Sequence, residues 1–433
     1  MKSIIMAILA AVLLSACQHT SPLTLSEERC NLVRYALEQP LPDETPLDSI
    51  VGDNPGDMLF LSGGSQNGAF GAGFLHGWKS TGRMPQFQLV TGISTGALQA
   101  TGAFIGQTEI NIEGYTINAE SDLLETYVDG DDVSGGLSAN AAVTALRKGS
   151  IADLVPLREK LHTLMTPEVL EAVAARYRPD GRSARLLVGA TDVDLGQAVA
   201  FDMTELASRY AAADKESAER TRLKNCYIEA LVASSIVPPG AQPVFIDNRM
   251  YIDGGVRYAI FDDRVGRILQ DNVPRSGAEA IGPSLYIILN GDGASKAECG
   301  KLNGADCVPL SSTQGQLAKW NLGSLAFRTV DLLIDQVQRS SISRAASRAE
   351  QFSGQTYFAR IREPDLDDPE HSFDIPGFDG SETCNAWREQ DDAIDNPVEF
   401  HKRYMRCMIK YGEQRGKAQD WDFGGENDRA PER

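Results

Sequence analysis

Two stretches of the chain each combine an apolar run, a glycine-containing turn and a helix-like pattern, and together they decide the fold. The first is MLFLSGGSQNGAFGAGFLHGW at residues 58–78, and the second is FQLVTGISTGALQATGAFI at residues 87–105. In each, a short apolar run typical of a buried strand leads through small residues into apolar side chains at helical spacing. Repeated strand–turn–helix units predict an α/β fold with a mainly parallel central sheet covered by helices.

The chain that follows supplies further strands and helices. Apolar pairs around short polar turns predict hairpins over 185–202 and 244–252, and residues 284–289 have the pattern of a buried strand. Helices are predicted over 226–233 and, from side chains near one face, over 317–346. The last dozen residues are polar and acidic and are expected to be disordered.

Length and composition are those of an ordinary globular protein. Of 433 residues, 42% are hydrophobic and 23% charged, which excludes collagen-like, coiled-coil and wholly disordered chains. The 60 acidic residues outnumber the 41 Lys and Arg, so the formal net charge is −19. Such a chain is a poor partner for nucleic acid, and charge does not draw it to an anionic membrane.

The N-terminus has the pattern of a bacterial export signal. A positive start is followed by 11 apolar residues at 4–14, which as a helix span about 16 Å, far less than the roughly 30 Å of a membrane core. The pattern favours a signal peptide over 1–16. LSAC at 14–17 resembles the lipobox of bacterial lipoproteins, which implies a lipid on Cys17 and, since Gln18 follows, the periplasmic face of the outer membrane. A plain secretory signal is the alternative.

Residues 17–56 are polar and Pro-containing and are predicted to be a tether with one helix over 25–37. Six cysteines besides Cys17 permit up to three disulfides in an exported chain, and local closure between Cys299 and Cys307 is the favoured pair. A zinc site is the rival, but no Cys-x-x-Cys occurs and the five His are scattered. We therefore expect neither a metal nor another cofactor.

The strongest chemical signal is the sequence Gly92-Ile93-Ser94-Thr95-Gly96. A serine between two glycines, directly after a strand and before a helix, fits the sharp turn that exposes a nucleophile. The glycines leave room where strand and helix nearly collide, and the helix N-terminus favours negative charge near the serine oxygen. The sequence predicts Ser94 as the nucleophile of acyl transfer.

The second signal is a glycine-rich turn upstream, with Gly63, Gly64, Ser65 and Gly68 as its predicted functional residues. Main-chain N–H groups in such a turn receive an anion, which here is either a nucleotide phosphate or the oxyanion of a tetrahedral intermediate. The phosphate interpretation lacks the Lys-Ser/Thr of a Walker motif and the full Gly-x-Gly-x-x-Gly. A turn that only packs helix on strand is the third possibility, but an oxyanion hole beside Ser94 explains both signals.

The third signal is Asp253-Gly254-Gly255 at the end of a predicted hairpin strand. A triad would require a histidine, and none of the five lies in a segment typical of that role. A Ser–Asp dyad, with Asp253 accepting the proton of Ser94, is favoured. A His-dependent esterase that uses His371 or His401 stays open.

These elements in this order resemble the patatin-like phospholipase family from residue 58 to about 258, and ASS at 233–235 followed by two prolines fits the segment before its Asp. The resemblance implies a three-layer fold, a catalytic core at 57–270 and a C-terminal extension at 271–433 that completes the domain. It also implies a Ser94–Asp253 dyad that hydrolyses acyl esters of lipids. Two departures are Ser65, where the family usually has glycine, and Asn67, where a basic residue is common.

Three interpretations of the function follow from this resemblance. The first is a lipid acyl hydrolase of the phospholipase A or lipase type, with a lipid or acyl ester as substrate. The second is an acyltransferase that uses the same acyl-enzyme, and the third is an inert lipid-binding envelope lipoprotein. We expect the hydrolase, held at the cell envelope through Cys17.

Overall fold

The computed structural model describes residues 29–38, 47, 56–128, 150–177, 184–238, 240–261, 284–291 and 355–422, with scattered positions between 329 and 344. The predicted signal peptide, Cys17, the predicted Cys299–Cys307 pair and the tail after 422 lie outside the described residues. Most of the helix predicted at 317–346 does too, and its described positions are helical.

Thirteen strands occur in the described part of the chain. They are β1 (Arg34–Ala36), β2 (Met58–Leu61), β3 (Leu89–Ile93), β4 (Glu125–Thr126), β5 (Ala152–Asp153), β6 (Arg185–Asp192), β7 (Gln197–Asp202), β8 (Val244–Ile246), β9 (Arg249–Asp253), β10 (Leu285–Ile288), β11 (Thr356–Ala359), β12 (Phe373–Asp374) and β13 (Ser381–Glu382).

Nine α-helices are bounded within the same residues. They are α1 (Gly68–Ser80), α2 (Thr95–Ile105), α3 (Glu109–Tyr115), α4 (Val155–Leu164), α5 (Pro167–Ala174), α6 (Met203–Ala212), α7 (Ala218–Ala233), α8 (Cys384–Ile394) and α9 (Lys402–Ala418). No described helix is both long and apolar enough to cross a membrane.

A nine-stranded sheet forms the centre of the fold. Its main order is β1-β7-β6-β3-β2-β10-β11, and the β8–β9 hairpin joins it through β6. The pairs from β6 across β3, β2 and β10 to β11 are parallel, whereas β1, β7, β8 and β9 pair antiparallel. The predicted α/β fold with a mainly parallel central sheet and helices around it is confirmed.

Both faces of the sheet are buried, as the continuous apolar runs predict. On one face, Leu59 and Leu61 of β2 join a large cluster with side chains of α1 such as Phe70 and Trp78. On the other face, Met58 and Phe60 join a smaller cluster that includes Phe261. Alternate residues of one strand therefore serve two cores, and β2 is held centrally between them.

The helix predicted over 25–37 is wrong over 29–37, the part of it that the structure describes. Arg34–Ala36 form strand β1, which pairs with β7 at the edge of the sheet. A disulfide joins Cys30 to Cys226 of α7. Residues 29–38, predicted to belong to the tether, are therefore fixed to the sheet by strand pairing and a covalent bond. A segment of three residues is too short for hydrophobic periodicity to distinguish a strand from a helix. Pairing with the edge of β7 makes this segment a strand.

Two C-terminal helices were not predicted. Helix α9 packs along α1 so closely that a Cβ on Gly73 would lie 2.1 Å from the carbonyl oxygen of Ile409, and one on Gly412 would lie 2.1 Å from that of Phe70. A disulfide between Cys384 and Cys407 joins α8 to α9. The chain after the predicted core thus contacts the helix that follows the glycine-rich turn.

Candidate active site

Strand β6 brings the predicted nucleophile and base together. Its Gly189 lies opposite Ile93, the last residue of β3. The next residue of β6, Ala190, lies opposite Asp253, the last residue of β9. Strands β3 and β9, which are far apart in the chain, thus end opposite neighbouring residues of β6. Ser94, one residue after β3, consequently meets Asp253.

The turn at Ser94 has the strained geometry of a nucleophile elbow. Ser94 has φ 55° and ψ −126°, and α2 begins at the next residue. A Cβ on Gly96 would lie 2.3 Å from the carbonyl oxygen of Leu61, and one on Gly92 would lie 2.4 Å from that of Gly96. Only glycine at both positions lets strand, turn and helix approach so closely. The two elbow glycines predicted from sequence have this physical role.

A buried serine holds the elbow from behind. The main-chain N–H of Ser94 donates to Ser234 Oγ at 2.9 Å, and Ser234 Oγ donates to the carbonyl oxygen of Gly189. Ser234 is fully buried at the end of α7. It therefore links the serine turn to β6 and fixes the strained Ser94 backbone.

Asp253 is a buried carboxyl group that faces Ser94. Its side chain accepts hydrogen bonds from the Ser94 hydroxyl and, at 2.6 Å, from the main-chain N–H of Gly255. Burial raises the pKa of Asp253 from 3.8 to about 6, although both hydrogen bonds lower it. At neutral pH the group is ionised yet more basic than an exposed aspartate, which suits a proton acceptor.

The glycine-rich turn lies directly against Ser94. A Cβ on Gly63 would lie 3.2 Å from Ser94 Cβ, and one on Gly68 would lie 2.0 Å from Thr95 Oγ1. Gly64 has φ 151°, and a Cβ there would lie 1.8 Å from the carbonyl oxygen of Asn290. The turn then continues as a single 3-10 turn, Ser65–Asn67, and leads into α1.

A buried polar network supports this turn from below. Asn290, which follows β10, donates its side-chain Nδ2 to the carbonyl oxygen of Ser62 at 2.7 Å and its main-chain N–H to Ser62 Oγ at 2.9 Å. Gln99 of α2 donates Nε2 to the carbonyl oxygen of Gly68 at 2.6 Å and to Asn290 Oδ1 at 3.2 Å. Both ends of the glycine-rich turn are thereby tied to the sheet and to α2.

Histidines do not complete a triad among the described residues, since none has Ser94 as a hydrogen-bond partner. His76 contacts Thr108, and His162 is exposed on α4. His371 lies beside Asp365 and Asp368, whereas His401 contacts Gln66, Glu399 and Asp392. His19 lies outside the described residues.

Metal binding finds no support in the described ranges. No group of three or more His, Cys, Asp or Glu there has the arrangement to hold a metal ion.

Several supporting residues were missed by the sequence analysis. Ser234 lies in the quoted ASS segment, and that signal was available, but its bond to the elbow was not inferred. Asn290 follows a predicted strand, where a polar side chain at the carboxyl end is a usable sign. Glu399 and Tyr404, which contact the side chains of Ser65 and Asn67, carry no pattern that connects them to residues more than 300 positions earlier.

The patatin-like phospholipase family matches residues 59–261 of the chain. No curated protein matches it. The matched segment begins in β2 and ends beyond β9, so it contains the glycine-rich turn, the serine turn and Asp253. The predicted family resemblance is confirmed over this segment, whereas the lipoprotein signal stays a prediction.

Proposed function

Since this chain carries a patatin-like phospholipase domain at residues 59–261, we propose that it hydrolyses acyl esters of lipids through Ser94 and Asp253. The observation that carries the proposal is the register of β6, which places the serine turn and the aspartate at adjacent positions. A buried carboxyl group with a pKa of about 6, hydrogen-bonded to a serine in a strained turn, is a combination that supports catalysis rather than packing.

Acylation begins when Ser94 Oγ attacks the ester carbonyl carbon. As the new C–O bond forms, the hydroxyl proton moves to the Asp253 carboxylate, and the carbonyl π electrons move to the oxygen. Collapse of the tetrahedral intermediate breaks the ester C–O bond. The proton on Asp253 then passes to the departing alcohol, which leaves an acyl group on Ser94.

The glycine-rich turn stabilises the charge that develops on the carbonyl oxygen. The main-chain N–H groups of Gly64 and Ser65 are the proposed donors, and Gly63 lets the turn approach Ser94. One such donor is typically worth about 2.7–4 kcal/mol in the transition state. The N-terminus of α2, which starts at Thr95, adds a favourable dipole close to the same oxygen.

Deacylation repeats these steps with water as the nucleophile. Asp253 accepts a proton from the water as it attacks the acyl carbon, and returns that proton to Ser94 Oγ as the fatty acid leaves. An alcohol or lysolipid in place of water would turn the hydrolase into an acyltransferase. Product analysis with a lipid substrate, with and without an added alcohol acceptor, separates these two activities.

A serine-reactive probe tests the proposal directly. Purified protein should be labelled by a fluorophosphonate and should hydrolyse short-chain p-nitrophenyl esters, whereas folded Ser94→Ala should do neither. Ser80→Ala is the matched control, because Ser80 lies at the far end of α1 and its hydroxyl bonds locally to Gly77. Absence of labelling in the wild type, or labelling of Ser94→Ala, would reject the assignment and favour an inert lipid-binding protein.

Anchoring at the envelope is a separate part of the proposal and rests on the sequence at 1–17. Cleavage before Cys17 and acylation of that residue would hold the domain at the outer membrane, facing the periplasm, because several buried acyl chains anchor stably. Cys17→Ala should then lose the lipid mass and leave the membrane fraction or remain uncleaved. A variant with unchanged mass and fractionation would exclude this anchor.

A further inference from the structure

The side chains of the glycine-rich turn form hydrogen bonds with residues that lie far beyond the family-matched segment. Ser65 Oγ donates to Glu399 Oε1 at 2.5 Å. The main-chain N–H of His401 donates to Gln66 Oε1 at 3.1 Å, and the hydroxyl of Tyr404 donates to Asn67 Oδ1 at 2.8 Å. Each of the three residues in the 3-10 turn therefore has its own partner between 399 and 404.

Ser65 has an unfavourable backbone conformation in this turn. Its φ of 49° lies in the left-handed region, which costs a residue with a side chain roughly 1–2 kcal/mol. Glycine adopts this region without that cost, and glycine is what the family resemblance leads one to expect here. The hydroxyl of Ser65 bonds to Glu399 in this left-handed conformation, and the bond offsets the strain.

The segment that carries Glu399 is restrained by hydrogen bonds of its own. The side chain of Glu120 accepts hydrogen bonds from three successive main-chain N–H groups, those of Val398, Glu399 and Phe400, at 3.0, 2.6 and 2.9 Å. On the C-terminal side, buried Asp391 bonds to Arg403 at 2.7 Å. The Glu399 carboxylate is thus presented on a restrained segment, so the bond to Ser65 does not have to order a free loop.

We propose that Glu399 is a positioning residue for the oxyanion turn, which holds Ser65 in its left-handed conformation and so keeps the Gly64 and Ser65 amides directed at the substrate oxygen. This inference rests on the proposed oxyanion role of that turn. Glu399 touches no reacting atom in it. It acts through the hydroxyl of Ser65, in place of the conformational freedom that glycine would provide.

A double-mutant cycle on the full chain tests the proposal. Glu399→Ala and Ser65→Ala should each lower kcat about fivefold to tenfold, the equivalent of one hydrogen bond, and should leave KM within about twofold. The double variant should be no slower than either single one, because both remove the same bond. Glu399→Gln should retain most of kcat, since its amide oxygen accepts the same bond.

Ser65→Gly provides the decisive background. Glycine adopts the left-handed conformation without a hydroxyl bond, so adding Glu399→Ala to Ser65→Gly should change kcat less than about twofold. If Glu399 only stabilises the C-terminal segment, Glu399→Ala will lower kcat and the melting temperature equally in both backgrounds, which would overturn the proposal. Glu382→Ala, on exposed strand β13, is the control.

Fluorophosphonate labelling separates this proposal from the function on which it rests. If the wild type is not labelled at Ser94, the catalytic assignment fails, and the positioning role fails with it. If the wild type is labelled and turns over ester but Glu399→Ala has wild-type kcat, only the positioning role is wrong. Should Glu399→Ala fold poorly, the Ser65→Ala and Glu399→Gln pair decides, because each leaves the segment at 398–400 bound to Glu120.

Discussion

The serine turn and the glycine-rich turn lie side by side, yet different parts of the chain hold them. Ser94 is fixed by Ser234 and, through it, by Gly189, all within the family-matched residues. The glycine-rich turn has one partner inside the match, Gln99, whereas Asn290 and Glu399 with its neighbours lie outside it. The matched segment thus contains the support of the serine turn, whereas the glycine-rich turn depends in addition on residues that follow the match.

This difference separates two kinds of contribution to one reaction. In the proposed reaction Ser94 and Asp253 need a fixed hydrogen bond, and the register of β3 and β9 on β6 brings the two residues together. An oxyanion hole needs amides aimed to within a few tenths of an ångström, because its effect depends on preorganisation. We infer that the C-terminal residues act on the precision of the second turn, without adding a reacting group.

Asp253→Asn should have the largest effect on activity, because it changes the proposed proton acceptor of the serine turn. Asparagine makes similar local hydrogen bonds but accepts no proton, so kcat/KM should fall by at least about 10³-fold. If Asp253 only caps the turn through its bond to Gly255, the variant will keep its activity. Ester hydrolysis by purified protein decides between these outcomes.

The same variant should unfold less readily at neutral pH. Because burial raises the pKa of Asp253 from its ordinary value of 3.8 to about 6, the folded state loses its proton later than the unfolded one as pH rises. Stability therefore falls between these values and stays lower above pH 6, by at most about 3 kcal/mol. Denaturant unfolding at pH 7 and pH 4 should show a gain for Asp253→Asn at pH 7 only.

Asn290→Ala tests the support beneath the glycine-rich turn. It removes partners from Ser62 and Gln99 in a buried network, which should cost roughly 1–3 kcal/mol of folding free energy. A displaced turn should also lower kcat by roughly tenfold, about 1.4 kcal/mol, and leave KM nearly unchanged. Thermal unfolding and steady-state kinetics measure the two effects, and a destabilised variant with full kcat would show that the turn does not depend on Asn290.

The pH profile sharpens the identity of the base. Activity should fall about tenfold per pH unit below the Asp253 pKa of about 6, because only the carboxylate accepts a proton. An ordinary aspartate would keep activity to lower pH, so burial moves this profile close to that of histidine. The pH profile must therefore also be measured for His371→Gln and His401→Gln. The pH at which their activity is half-maximal should match that of the wild type. If either variant no longer loses activity at acidic pH, a His base would be favoured.

Ser234→Ala should have the smallest effect and tests the support behind the elbow. The Ser94 amide loses its acceptor, worth about 1 kcal/mol, so kcat should fall by about fivefold. Ser235→Ala is a matched control one residue away, since the hydroxyl of Ser235 donates to the carbonyl oxygen of Leu231 in α7 and not to the serine turn. Equal kcat for the two variants would mean that the elbow holds itself.

The parts of the molecule that sequence reasoning reached are those encoded locally. The strand–turn–helix units at 58–78 and 87–105 carry their periodicity and their turn residues within about 20 positions, and the structure confirms both units. The motif order brought Ser94 and Asp253 into one hypothesis, although only the register on β6 shows why they meet.

The remainder depends on contacts that have no local signature. Residues of β1 form a strand because they pair with the edge of β7. The three residues by themselves do not distinguish a strand from a helix. Helix α9 packs on α1 through glycines at helical spacing in each, a pattern visible only when both helices are known. Glu399 and Tyr404 are ordinary polar residues until the fold places them above the glycine-rich turn.

The close pairing of α1 with α9 has a consequence for the order of folding. The bond between Asn67 and Tyr404 spans 337 residues, and contacts of such separation form late because the intervening chain must first be closed into a loop. The serine turn, Asp253 and their common strand β6 precede α9 in the chain and need no contact of that separation. Ser94 and Asp253 can thus come together while the glycine-rich turn still lacks its contact with Tyr404, so the packing of α9, the last helix in the described residues, completes the support of the candidate site.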